Sequence, residues 1–258
     1  MELILEIEKN IARIIFNRPE AFNSVNSPLA HAFIQALDQC ANDEQVRVIL
    51  LTGSGKAFCA GQDLKEVTNP DLNPGFKVLM EEHYEPIVSR LRNIEKPIVA
   101  AVNGVAAGAG ANFALACDII VATESASFIQ AFSAIGLIPD SGGTYTLPRA
   151  VGLAKATALA MLGDKISAVE AERLGMIYKC FPDQMFSEEV EKIVYRLSTM
   201  PTKGLGLTKR ALNASFRNSF AEQLQLETKL QIEAASTEDY KEGVTAFVEK
   251  RKPVFKGR

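Results

Sequence analysis

Residues Lys96 to Asp118 read KPIVAAVNGVAAGAGANFALACD. The pattern predicts a short buried strand over 98–102 (IVAAV), a turn at Asn103-Gly104, and a helix over Asn112 to Cys117 that is entered through Gly108, Ala109 and Gly110. Those three residues carry almost no side chain, so a ligand can approach main-chain N–H groups at a helix start, the arrangement of an anion or oxyanion site. Small residues also occur where a helix simply packs closely on a sheet, and the stretch alone leaves both readings open. A dinucleotide fingerprint is excluded, because its third glycine is Phe113 here and no acidic residue follows at the required distance.

Upstream, residues 2–8 and 11–17 alternate with period two across Lys9-Asn10 and predict a hairpin at a sheet edge. Ser27-Pro28 predicts an N-cap and a proline in the first turn of a helix running to Asn42, with Leu29, Phe33, Leu37 and Cys40 on its apolar face. Residues 46–52 (VRVILLT) predict the next strand, followed by a second small-residue loop, GSGKAFCAGQDLKE at 53–66. This loop is apolar inside and flanked by Lys56 and Lys65, so it can offer N–H donors inward and ammonium groups outward. Residues 67–76 read as a mobile rim over a pocket and are followed by a weakly periodic helix. His31 and His83, the two histidines of the chain, stand in no catalytic pattern and are expected at the surface or partly packed.

Downstream, Ile119 to Thr123 predicts another strand, and AFSAIGLIPDSGGTYTLPRAVG at 131–152 brings the only acid of the small-residue motifs that lacks an obvious partner, Asp140. Asp140-Ser141-Gly142-Gly143 is similar to the nucleophile segment of chymotrypsin-like serine proteases, but Pro139 replaces a glycine and no histidine lies in a suitable motif. Locally, Asp140 or Ser141 is expected to cap a helix from Gly142 onward. Residues 153–258 read as helical apart from one strand at 176–180, with Ser167 capping a helix to Leu174-Gly175 and amphipathic runs at 186–198, 203–216, 219–235 and 238–250.

At 258 residues with 47% hydrophobic composition, the chain is long enough for one large α/β core, taken as 1–200, with a helical C-terminal region at 201–258. A net charge of −3 without a basic stripe argues against nucleic acid as a partner. No secretory leader and no membrane-length apolar run is visible, so a cytoplasmic protein is expected. Cys40, Cys59, Cys117 and Cys180 are scattered singly, which suggests neither disulfides nor a metal site.

Taken in order, FNRPEAFNS, GSGKAFCAGQDLKE, AVNGVAAGAGANFALACDI, FSAIGLIPDSGGTYTLPRAVG and FVEKRKPVFK resemble the enoyl-CoA hydratase/isomerase (crotonase) superfamily along nearly the whole chain. The resemblance implies a crotonase-like spiral of ββα units with a helical C-terminal trimerisation region, and acyl-CoA thioesters as substrates. It places the two oxyanion-hole N–H groups on Gln62 and Ala109, the latter beside Gly108. It also places the main chain of Ser24, Ala60 and Leu64 near the CoA adenine, Ala21 and Asp63 among the substrate-binding residues, Lys56 and Lys65 near the CoA phosphates, and Phe247 and Lys250 where they reach a neighbouring subunit's CoA. Two-glutamate hydratases carry their acids where this chain has Asn112 and Phe132, whereas GLIPDSGG, with Pro139 and Asp140, looks like the ring 1,2-epoxyphenylacetyl-CoA isomerases of phenylacetate breakdown. The implied activity is an acyl-CoA isomerase with Asp140 as single acid/base, acting on a ring epoxide or moving a 3-enoyl double bond. It needs no metal or redox cofactor, coenzyme A being part of the substrate. A hydratase, a dehalogenase-like displacement and a non-catalytic acyl-CoA-binding scaffold are the alternatives, and a homotrimer or dimer of trimers is expected.

Overall fold

A computed structural model describes residues 1–258. The chain opens with β1 (Leu3–Glu8) and β2 (Ile11–Phe16), which pair antiparallel across Lys9-Asn10. Both turn residues have positive φ, 51° and 66°, as the tightest hairpin turn requires. In helix α1 (Ser27–Asn42) the apolar face foreseen from its spacing is buried, but the cap lies one residue earlier than Ser27. Asn26 is the extended residue whose side-chain oxygen accepts the Leu29 N–H, and Ser27 and Pro28 occupy the first turn.

Three strand pairs then follow one another. β3 (Val48–Gly53) and β4 (Ala57–Cys59) lead into α2 (Leu64–Thr68). Next, α3 (Phe76–Val78) continues through a π-helical stretch at Leu79–Tyr84 into α4 (Glu85–Asn93). β5 (Ile98–Val102) and β6 (Val105–Ala107) lead into α5 (Ala109–Ala116). β7 (Ile119–Thr123) and β8 (Ser127–Ile129) precede the segment that enters α6 (Gly143–Val151) and α7 (Leu153–Leu162). The first strand of each pair joins a six-stranded sheet ordered β1-β2-β3-β5-β7-β10, and the second joins a four-stranded sheet ordered β4-β6-β8-β9. Each turn of the chain therefore adds one strand to each sheet and then a helix, a spiral of ββα units. From β2 to β10 the large sheet is parallel, and its strands read as unbroken apolar runs because both faces are covered. The rest comprises β9 (Ile166–Ser167), α8 (Ala168–Arg173), β10 (Lys179–Phe181), α9 (Phe186–Ser198), α10 (Thr202–Ser215), α11 (Phe220–Ala235) and α12 (Glu238–Val248). No helix is long and apolar enough to cross a membrane.

Several expectations are corrected. The stretch 53–66 is not all loop, since Ala57–Cys59 is β4, and Val105–Ala107 is β6 where only a turn was expected. Three-residue strands of small side chains carry too few positions to show a period of two. The helix expected at Asn112 begins at Ala109, because Gly108 (φ 53°, ψ −127°) makes the sharp entry in a conformation closed to other residues. The last strand lies at Lys179–Phe181 instead of 176–180 and pairs with β7. His83 is buried, 2% exposed, with its ring edge-on to His31 at 4.9 Å. The π-helical stretch carries it, along with Leu79 and Tyr84, onto the inward face.

A chain of edge-on aromatic contacts ties these layers together. Phe58 of β4 meets Phe16 of β2, Phe16 meets Phe33 of α1, Phe33 meets Phe113 of α5, and Phe113 meets Tyr84, with ring centroids 5.0–6.0 Å apart.

Candidate active site

The site follows from the small sheet. β4, β6 and β8 run parallel and side by side, with Cys59 opposite Ala106 and Ala107 opposite Ile129. Their carboxyl ends therefore emerge together, and so do the three segments that leave them, 60–63, 108–110 and 130–132. In parallel sheets this is the end at which ligands bind.

The first two segments touch through their backbones. A Cβ on Gly61 would lie 2.8 Å from the Ala107 carbonyl oxygen and 3.3 Å from the Ala109 nitrogen, and a Cβ on Gly110 would overlap the Cys59 carbonyl. Around this contact four main-chain donors are used. Ala60 N–H goes to Phe22 O, Asp63 N–H to Val25 O, Gly108 N–H to Ile129 O, and Asn112 N–H to Gly108 O, at 2.9–3.2 Å. The N–H groups of Gln62 and Ala109 have no acceptor, and neither do those of Gly61 and, in the first turn of α5, Gly110 and Ala111. Two free donors on adjoining segments, one of them at a helix start, form a geometry suited to a developing oxyanion.

The 60–63 segment is braced from the side. Asp63, 6% exposed, caps α2 by accepting the Lys65 N–H and receives the Arg18 guanidinium at 2.7 Å. Burial opposes the Asp63 charge, and Arg18 with the main-chain donors overcomes it, holding the carboxyl below its ordinary value. Arg18 also donates to Ser24 O at 2.5 Å, while buried Asn23 bonds Arg18 N–H, Ser54 O and Ala57 O. Ser24, expected along the adenine, and Asp63, expected to bind substrate, are thus buried and already bonded within the protein, while Ala21 and Ala60 are partly accessible and Leu64 is exposed. Lys56 and Lys65 are exposed and belong to no ion pair. Phe247, 85% exposed, and Lys250 lie at the end of α12 and contact neither segment. The pairing of Arg18 and Asn23 with this loop escaped sequence reading. Its visible trace was a polar Asn-Arg-Pro at the end of an apolar strand.

The third wall carries Asp140. Asn112, 0% exposed, donates through Nδ2 to the Asp140 main-chain oxygen at 2.8 Å and accepts from Gln130 Nε2 at 2.9 Å. A side chain on Gly143 would overlap the same Asn112 amide. Asn112, which the resemblance sets at a hydratase glutamate position, is therefore occupied in holding the 140 loop one helical turn from Ala109. Phe132, at the other such position, is buried, and its ring tip lies 3.9 Å from where a Cβ of Gly108 would stand. The capping expectation is corrected here: Gly142 (φ 75°) precedes α6 and no side chain caps it. Ser141 Oγ and Asp140 Oδ1 are buried with no hydrogen-bond partner. The Asp140 side chain is half-buried, with Ser141 and its own main chain the groups that favour its charged form. Burial pushes its pKa up to about 6.

With that geometry in hand, the enoyl-CoA hydratase/isomerase family model matches residues 6–258. The chain belongs to the enoyl-CoA hydratase/isomerase family. It is 45% identical over 263 residues to the 1,2-epoxyphenylacetyl-CoA isomerase of Escherichia coli K12, with 100% of both chains covered. It is 39% identical over 246 residues to the mitochondrial enoyl-CoA hydratase of Pongo abelii, covering 95% of this chain and 83% of that one. With the trans-2-decenoyl-acyl-carrier-protein isomerase of Streptococcus mutans it shares 36% identity over 264 residues, covering 100% and 98%. A crystal structure of an enoyl-CoA hydratase from Bacillus anthracis superposes over 100% of both chains with a TM-score of 0.92 at 30% identity. The protein is thus a crotonase-fold enzyme of acyl-CoA isomerase/hydratase type.

Proposed function

We propose that the enzyme isomerises an acyl-CoA through a thioester enolate, with a ring 1,2-epoxyphenylacetyl-CoA as substrate and Asp140 as the single acid/base. The observation that carries this reading is the state of the two hydratase positions: Asn112 is an amide spent on the 140 loop, and Phe132 is apolar. Addition of water wants one group to deprotonate the water and another to protonate the carbon. A rearrangement needs one group that takes a proton and gives it back.

The thioester oxygen sits between the Gln62 and Ala109 N–H groups. The Asp140 carboxylate removes the proton α to the carbonyl, and the negative charge collects on the oxygen facing the two donors. Each donor stabilises that charge by about 2.7–4 kcal/mol in the transition state, by analogy with measured oxyanion holes. In the ring-expanded (oxepin) form of the epoxide, whose epoxide C–C bond has opened, the electron pair forms a double bond from the α carbon to the ring, the adjacent ring double bond moves on, and Asp140 returns the same proton at its far carbon. No atom is gained or lost. A carboxyl with a pKa of about 6 is ionised enough to take the proton near neutrality and basic enough to hold it. In the same reading Lys56 and Lys65 face the CoA phosphates, and the helices of 201–258 build a trimer through exposed Leu212, Phe216, Ile232, Val244 and Phe247.

Purified protein should consume ring 1,2-epoxyphenylacetyl-CoA with no added cofactor and yield a product of equal mass. The similarity at 45% identity to an isomerase of that name supports this choice over a plain 3-enoyl-CoA. Hydration of a 2-enoyl-CoA faster than either isomerisation would overturn it.

A further inference from the structure

Tyr84 is 2% exposed, and its hydroxyl is buried with no hydrogen-bond partner. A phenol in an apolar interior normally finds a partner, since a buried hydroxyl that has given up water and bonds to nothing is destabilising. Its place in the fold suggests what the hydroxyl is for. Tyr84 ends the π-helical stretch, and Val88, one turn further on the same helical face, would lie 3.4 Å from a Cβ on Gly142 in the 140 loop. The ring of Tyr84 packs edge-on against Phe113 at 6.0 Å, and Phe113 follows Asn112, the residue that holds the Asp140 main chain. Tyr84 thus packs on α5 from the helix whose Val88 meets the 140 loop, and in that loop Asp140 Oδ1 is likewise buried without a partner. Asp140 is also the leading charged neighbour that acts on the phenol, after burial itself; both push its pKa far up, so the hydroxyl stays protonated and acts only as a donor.

We infer that the Tyr84 hydroxyl donates a hydrogen bond to an oxygen carried by the acyl group close to the reacting carbons, and so selects oxygen-bearing acyl groups over hydrocarbon ones. The inference rests on the proposed function and adds to it a residue that discriminates among substrates. A pocket wall meant for hydrocarbon alone gains nothing from a buried donor. One meant for an epoxide or cyclic ether oxygen gains a partner for it, and the oxygen-free analogue leaves the donor unpaired.

The test is Tyr84→Phe, which keeps the ring and its packing on Phe113, so that an unchanged melting temperature certifies the fold. Binding is read by calorimetry with 2-hydroxyphenylacetyl-CoA and phenylacetyl-CoA, a pair that needs no turnover. The native enzyme should favour the hydroxylated ester about tenfold, and Tyr84→Phe should abolish that preference while leaving phenylacetyl-CoA affinity within about twofold. In turnover, kcat/KM for the ring epoxide should fall about tenfold or more, with a 3-enoyl-CoA unaffected. Equal affinities for the two esters in the native enzyme, or a preference that survives in Tyr84→Phe, overturns the role of Tyr84. If instead the preference is present and lost as expected but no ring epoxide is turned over, the proposed reaction fails and the oxygen-reading role stands.

Discussion

Asp140→Asn should make the enzyme slower and more stable at once, and the stability gain should depend on pH in a defined direction. The carboxyl has an ordinary value of 3.8 and is lifted to about 6 by burial. At 1.36 kcal/mol per pH unit this lift corresponds to about 3 kcal/mol, which contact with solvent at the open side of the site trims to about 1–3 kcal/mol. Because the folded-state pKa is the higher one, the folded protein holds the proton more tightly than the unfolded chain does. Its stability is therefore undiminished below about pH 4 and is lost as pH rises through about 6. Asparagine has no charge to bury. Its melting temperature should exceed that of the native protein by about 2–12 °C at pH 7.5, using about 2–4 °C per kcal/mol for a chain of this length, and the gap should close toward pH 4. Turnover should fall by about 10²–10⁴, with ester binding largely retained. The native kcat/KM should itself rise with pH through about 6 as the base ionises. Scanning calorimetry at pH 4.5 and 7.5, with initial rates at both, checks all of this. A variant that melts no higher than the native protein at pH 7.5, or that keeps near-native turnover, would refute the picture of a buried carboxylate held in readiness.

Other outcomes are expected. Gly61→Ala forces a Cβ to within 2.8 Å of the Ala107 carbonyl at a φ of +87°; it should push the two N–H donors apart and lower kcat by about 10²–10³, with circular dichroism checking that the fold persists. Lys56→Glu or Lys65→Glu should weaken CoA-ester binding several-fold in low salt and leave pantetheine thioesters unchanged, and equal losses for both ligands would exclude a phosphate role. Arg18→Met strands the buried Asp63 carboxylate and should destabilise the fold by about 3–5 kcal/mol in urea titrations at neutral pH. Sedimentation at micromolar concentration should show a trimer or a multiple of it, because the exposed apolar residues of α10 to α12 need cover.

Much of the fold was legible because long elements carry strong periodic signals. The hairpin, the α1 face with Leu29 and Phe33, and the helices after 186 all lie where spacing put them. The three-residue strands were not legible. Ala57–Cys59 and Val105–Ala107 are strands because their neighbours across the sheet are strands, a cause written 50 residues away. In the site, the small residues at 60–62 and 108–110 announced close backbone approach, but nothing local could reveal that the two stretches approach each other. Asn112 looked like a missing acid. Its actual employment, bonded to Asp140 O and Gln130, appears only when the 130s and 140s fold back over α5. His83 and Tyr84 were misplaced or overlooked because a π-helical stretch shifts the face that an α-helical wheel assigns.

The two free donors are main-chain groups, and this governs what a saturation-mutagenesis map of the chain would look like. A substituent at position 62 or 109 changes a side chain while leaving the N–H in place, so the scores at these positions should track packing and little else. Intolerance should gather on the residues beside them: Gly61 and Gly110, whose missing Cβ lets the backbones meet, Gly108, whose backbone conformation admits no side chain, and Gly143, whose missing Cβ makes room for the Asn112 amide. A reader who ranks residues by mutational sensitivity to find the chemistry would circle the hinges of the site and miss the groups proposed to bind the charge.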